Sequence, residues 1–176
     1  AVAEADSIDG AAATWGISSP DHQPSPSEWD ALRRHATGVV ELTGRLDVAE
    51  VATRELARGY VPSLSLLLGP LGAAKLVVLA RGRERLARMP SGSLQVLGAS
   101  GAMAAHRRGA PPPKHSPVLF SLPQVSKSPR WVRGKIARFI AGKCSIAVRV
   151  DHFAGEPWDE DQIAEINRQV DAIKAR

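Results

Sequence analysis

The chain has 176 residues, of which 44% are hydrophobic, and 23 Lys or Arg against 18 Asp or Glu give it a formal net charge of +5. That is enough chain for one substantial domain with an appended subdomain, and the absence of any run of about 20 apolar residues excludes a helical membrane span. A single cysteine, Cys144, excludes an internal disulfide and a cysteine-cluster zinc site and fits a reducing, intracellular setting. Ala1 stands where an initiator Met is expected, as in an excised or processed chain, and no signal-peptide pattern comes after it.

Residues 1–27 are rich in Ala, Ser, Pro, Asp and Gly, and Pro20, Pro24 and Pro26 break any helix begun over 11–15, so a Pro-rich lead or a helix end followed by a loop is expected. Ser27 before Glu28, Trp29 and Asp30 reads as an N-cap with acids in the first turn. Leu32, Val39, Leu42, Leu46 and Val51 then recur at near-helical spacing, which predicts a helical arm over 28–59, as one long amphipathic helix or two in series. Pro62 and Pro70 punctuate the next stretch of chain. Leu64, Leu66, Leu67 and Leu68 form an apolar knot, and 71–80 reads as a helix whose Gly72, Ala73 and Ala74 allow close packing in a core. A shorter helix over 83–89 lies between Gly82 and Pro90. Its neighbourhood carries Arg81, Arg83, Arg85 and Arg88, read as solvated surface with phosphate contact the lesser alternative.

Next come a turn, a short buried segment, and a small-residue helix from about Ser100, with Arg107 and Arg108 at its negative pole and Gly109 just beyond. Small residues over 98–102 leave a flat patch suited to docking. Residues 109–129 hold Pro111, Pro112, Pro113, Pro117, Pro123 and Pro129 and show no helical period. They predict a loop, pinned by Val118, Leu119, Phe120 and Leu122, that presents Lys114 and His115.

The stretch 128–153 reads as one long basic helix, with Ser128 as N-cap and Pro129 in the first helical position. At 100° per residue Val132, Ile136, Phe139, Ile140, Ile146 and Ala147 fall on one arc facing a core, while Trp131, Lys135, Arg138, Gly142 and Arg149 fall on the other. Glycine at 134 and 142 lowers the helix surface so that another backbone can approach. The tail restarts at Pro157. Asp159, Glu160 and Asp161 precede Ile163, Ile166, Val170 and Ile173, the pattern of an amphipathic helix within 156–176.

Charge is segregated along the chain. Residues 75–149 contain 15 Lys or Arg and one acid, Glu84, whereas the remainder holds 8 bases and 17 acids. A basic middle between acidic flanks sets up a field that draws in polyanions and weakens with salt, which favours a nucleic-acid partner over a merely solvated surface.

Enzyme motifs fail. Gly134-Lys135 lacks the glycine of a phosphate-binding loop, because Pro129 stands there, and Ile136 replaces the metal-binding hydroxyl. Ala102 stands where a nucleophile elbow centred on Ser100 needs its last glycine. The five histidines show no ligand spacing, so no metal site and no cofactor is expected, and Cys144 reads as a small buried residue.

Several motifs together carry a family resemblance: Arg133-Gly134-Lys135-Ile136-Ala137-Arg138, then Ala141-Gly142-Lys143-Cys144-Ser145-Ile146-Ala147-Val148-Arg149-Val150-Asp151, and upstream Val61-Pro62-Ser63-Leu64, Gln95-Val96-Leu97-Gly98-Ala99 and Pro113-Lys114-His115. On these residues, from about Tyr60 to Phe153, the chain resembles the Nop domain of box C/D ribonucleoprotein core proteins and their splicing-factor relative. The resemblance implies an all-α Nop domain over 60–155, behind a shortened return arm of the family's coiled coil. It implies a non-enzymatic scaffold that binds a kink-turn RNA already held by a small kink-turn-binding protein, in a particle guiding ribose 2′-O-methylation. Fibrillarin and a second Nop protomer are the implied further partners, through regions absent or shortened in this chain. The implied location is cytoplasmic in an archaeon and nucleolar in a eukaryote.

Carried over position by position, Lys114 and His115 form the loop at the RNA stem, with His115 stacking or capping. Arg130, Arg133, Lys135 and Arg138 face phosphates, and Gln95, Gly98, Ala99, Arg107 and Arg108 lie near the protein–RNA junction. Lys143 falls amid the apolar arc and is placed either on RNA or in a pair with Asp151. Gly98-Ala99-Ser100-Gly101 departs from a common Gly-Ala-Glu-Lys, and Ser116 replaces a common glycine. Three other readings stay open: a divergent module binding structured RNA alone, an RNA-processing enzyme using His115 or His106, and a helical adaptor.

Overall fold

A computed structural model describes residues 1–175, so the tail segment 156–176 is seen except for Arg176. Among these residues there is no strand, and the chain is all-α as expected. Two compact units divide between Val51 and Ala52.

In the first unit, α1 (Ile8–Thr14) is capped by Ser7, whose side chain accepts from the Gly10 N–H. It occupies part of the stretch expected to be broken by proline, since the prolines begin only at Pro20. Helix α2 (Pro26–Tyr60) is continuous and starts two residues before the expected position. Ser25, not Ser27, is the cap: its N–H donates to Glu28 Oε2 at 2.8 Å while the Glu28 N–H reaches Ser25 Oγ at 3.4 Å, a reciprocal capping box. Along α2 the apolar Leu32, Val39, Leu42, Leu46 and Val51 stay exposed.

The second unit is built around α10 (Arg133–His152). Against it pack α3 (Pro62–Leu68), α5 (Arg83–Arg88), α6 (Ser91–Gln95), α8 (Pro117–Phe120), α9 (Pro123–Ser126) and α11 (Glu160–Lys174), while α4 (Pro70–Ala80) packs on α3, α5 and α8. The short α7 (Ser100–Arg107) comes after α6, and Gly109 closes it at φ 100°, a conformation suited to glycine. The core joins Leu64, Leu76, Leu86, Leu94, Leu119 and Val125 to Ile136, Ile140, Cys144 and Val148 of α10.

No single described helix is long and apolar enough to cross a membrane. The apolar α3–α4 pair is bent by 116°, and its Leu64, Leu68, Ala73, Leu76 and Ala80 are core residues.

The structure corrects three expectations. The basic helix does not begin at Ser128 but at Arg133: Ser128 is buried and its hydroxyl donates to the Gln124 carbonyl at 2.6 Å, tying it to α9 instead of capping α10. The 109–129 stretch is not all loop, because Pro117 and Pro123 each open a one-turn helix, the first with Ser116 Oγ accepting from the Leu119 N–H. The inward arc of α10 is rotated from the expected one, so that Ala137 and Ala141 are buried beside Cys144, whose burial is expected, while Ile146 is 50% exposed. Apolar residues on both sides of α10 make the wheel ambiguous.

Candidate nucleic-acid interface

A groove of about 890 Å³ runs between the start of α10, the end of α6 and the proline-rich loop. Lys114, Trp131, Lys135 and Arg138 line it together with Pro111, Pro112, Pro113, Gln95 and Gly134, and no carboxylate does. Lys135 and Arg138 are exposed and make no ion pair or hydrogen bond among the described residues. Their charge is therefore available to an anion.

Two residues let the loop lie across the helix. Gln95, buried at the end of α6, donates from Nε2 to the Lys114 carbonyl at 2.6 Å. Beneath, Gly134 lets the loop lie close, since a Cβ there would stand 3.6 Å from Lys114 Cβ and Cδ. What approaches Gly134 is thus the Lys114 side chain. Among the described residues, nothing beyond its chain neighbours and its own helix backbone comes within 4 Å of a Cβ at Gly142.

His115 is half-buried and stacks on Phe120, with centroids 4.7 Å apart and planes inclined 14°. The Arg133 guanidinium lies 5.6 Å from the centre of the same ring. Arg133 differs from the outward placement expected of it: half-buried, it donates from Nε to the Ser128 carbonyl at 2.7 Å and from Nη2 to the Ser126 carbonyl at 2.8 Å. It satisfies carbonyls at the end of α9, which has no further helical turn to do so. Arg149, expected outward with Lys135, donates from Nε to the Ala87 carbonyl at 3.0 Å, near the end of α5.

Lys143 does not pair with Asp151. Its ammonium sits 5.3 Å over the Phe139 ring, and its charge is felt by Glu165 of α11, whose carboxyl is held below the usual range chiefly by hydrogen bonds from Gln169 and Arg168. Asp151 instead accepts from the backbone N–H groups of Ser63 and Leu64 at 2.9 and 3.0 Å, capping α3 from 87 and 88 residues away. No sequence pattern announces that contact.

The junction residues are spread out. Ala99 is buried at the start of α7, Gly98 is exposed at φ 83° with Leu79 beside it, and Arg107, Arg108 and Arg130 are exposed outside the groove lining. His106, at the end of α7, has Nδ1 2.7 Å from the Ala110 carbonyl. Among the described residues no three of His, Cys, Asp and Glu cluster as metal ligands, and burial pushes the Cys144 thiol far up. Trp131 is the aromatic side chain of the lining and is left out of the expected RNA contacts, although its place four and seven residues before Lys135 and Arg138 is the signal that could have found it.

Residues 4–172 match the family model Nop, described as snoRNA binding domain, fibrillarin. An uncharacterised NOP5 family protein of Methanocaldococcus jannaschii is 40% identical over 123 residues, covering 69% of this chain and 29% of that protein. Mouse nucleolar protein 56 is 37% identical over 128 residues, 72% of this chain and 22% of its own length. A crystal structure of a fibrillarin/Nop5p complex matches with a TM-score of 0.63 at 28% identity, covering 92% of this chain and 58% of that one.

Proposed function

Since the chain belongs to the Nop family, we propose that it is a non-enzymatic scaffold that recognises a kink-turn RNA together with the small protein already holding the kink, in a box C/D ribonucleoprotein that guides ribose 2′-O-methylation. Fibrillarin and a second Nop protomer are the further partners of this reading. The observation that supports it is the groove in which Lys114, Lys135 and Arg138 converge without a carboxylate.

Phosphates neutralised by these three cations hold the RNA in register, and the proline-rich loop, fixed through Gln95, sets the position of Lys114. His115 is preorganised by Phe120 for contact at the stem end. Arg133 acts through position, bracing α9 and the Phe120 ring beneath the loop.

The test is an anisotropy titration of a labelled kink-turn RNA, with and without a kink-turn-binding protein, at two salt concentrations. Binding confined to the preformed complex and weakening with salt is expected. Equal binding of bare structured RNA overturns the partner, and no binding of either overturns the reading.

A further inference from the structure

We propose that Trp131 is the stacking platform for one unpaired RNA base at the rim of the basic groove. The proposal rests on the RNA-binding reading and adds a base-recognising position to its phosphate contacts.

Aromatic residues make up only 5% of the chain. Trp131 is nevertheless 63% exposed, and its indole makes no ring or cation contact among the described residues. Its position is not incidental. The preceding turn, closed by the Val132 N–H on the Pro129 carbonyl, delivers the indole to the groove beside Lys135 and Arg138. The latter two are three residues apart, about 4.5 Å along the axis of α10. Across from them stand Lys114 and the Pro111–113 run.

An occupant must match two features at once: cations without a counter-carboxylate and a flat apolar ring in water. A hydrophobic peptide would leave the cations unmatched, and a bare phosphate would leave the indole unused. A nucleotide answers both, with phosphate on the cations and base on the indole. A base inside a helix cannot serve, because its neighbours cover both its faces, whereas an unpaired loop base leaves a face free. Stacking on Trp131 tolerates any base and favours the larger face of a purine.

The experiment titrates the full chain against a kink-turn RNA preloaded with a kink-turn-binding protein. One RNA carries an adenosine loop, and a second carries the same loop with abasic positions. Trp131→Ala is expected to weaken binding of the adenosine RNA by about 5- to 150-fold, the range for loss of one base stack. Trp131→Phe should restore most of it, and the abasic RNA should not distinguish the variants. The slope of log affinity on log salt should stay unchanged, because no phosphate contact is lost. An equal loss on both RNAs, or no loss on either, overturns the proposal. If Lys135→Ala/Arg138→Ala abolishes binding while Trp131→Ala does not, the platform falls and the RNA-binding reading stands. If the unaltered chain binds neither RNA, both fall. Trp131 is outside the core, so thermal unfolding of both variants should match the parent.

Discussion

Asp151→Ala removes one carboxylate and uncovers two backbone donors 87 and 88 residues away. Pro62 occupies the first position of α3 and has no N–H, and Val61 provides no side-chain cap, so the first donors to be satisfied are those of Ser63 and Leu64. Both bond to Asp151, at 2.9 and 3.0 Å, and both residues are buried. A hydrogen bond to a charged group contributes roughly 1.5–3 kcal/mol, and the two share one carboxylate, so the loss is about 2–4 kcal/mol. Asp151→Asn keeps one acceptor and the shape while losing the charge at the helix N-terminus, for about 1–2 kcal/mol. Urea unfolding followed by circular dichroism reads this as a lower midpoint, by about 1–2 M for Ala at a slope near 2 kcal/mol/M, with the slope unchanged. An Ala variant within about 0.5 kcal/mol of the parent, or an Asn variant worse than Ala, would refute the capping argument.

Lys135→Ala/Arg138→Ala should lower RNA affinity and flatten its salt dependence by about 1.4–1.8 in log–log slope, the signature of two lost phosphate contacts, with stability unchanged; an unchanged slope removes this face from the interface. Gly98→Ala should destabilise by about 1–2 kcal/mol in the same urea assay, because φ is 83° and the new Cβ would meet Leu79 Cδ1 at 2.8 Å. A neutral result would mean that the turn and Leu79 yield freely. Cys144 should resist alkylation in the folded chain at about pH 8.5 and react on unfolding, since it is fully buried and burial raises its thiol pKa. Above the ordinary thiol range the unfolded chain loses a proton that the folded chain keeps, so this group lowers stability as pH rises.

Much of the organisation is local and legible in the residues. Pro62, Pro70, Gly82 and Pro90 bound α3 to α5, and Ser100 to Gly109 brackets α7 with its cap glycine. The tail helix α11 has both its acidic first turn and a full capping box on Asp159. The basic middle is equally plain, because charge along a chain needs no fold to be counted. Four things are not legible. Ser128 has the chemistry of an N-cap, but its hydroxyl is drawn to Gln124 and the helix starts five residues later. Arg133 sits in a motif of cations yet turns inward to the open carbonyls of α9.

Asp151, one of the two alternatives for Lys143, instead caps α3, and Ile146 lies on the wheel's core arc yet is half in water. Helical propensity, punctuation and net charge are properties of neighbours in sequence, so the chain alone determined an all-α protein with a long helical arm, a run of shorter helices and one basic helix. Which end is capped by whom, and which cations remain available, depends on donors and acceptors that packing brings together: Asp151 reaches α3 from 87 and 88 residues away, Arg149 reaches Ala87 from 62, and Arg133 folds back on the end of α9. Only the packed tertiary structure decides that, because an unpaired buried backbone group is costly enough to recruit whichever charged side chain the fold brings within reach.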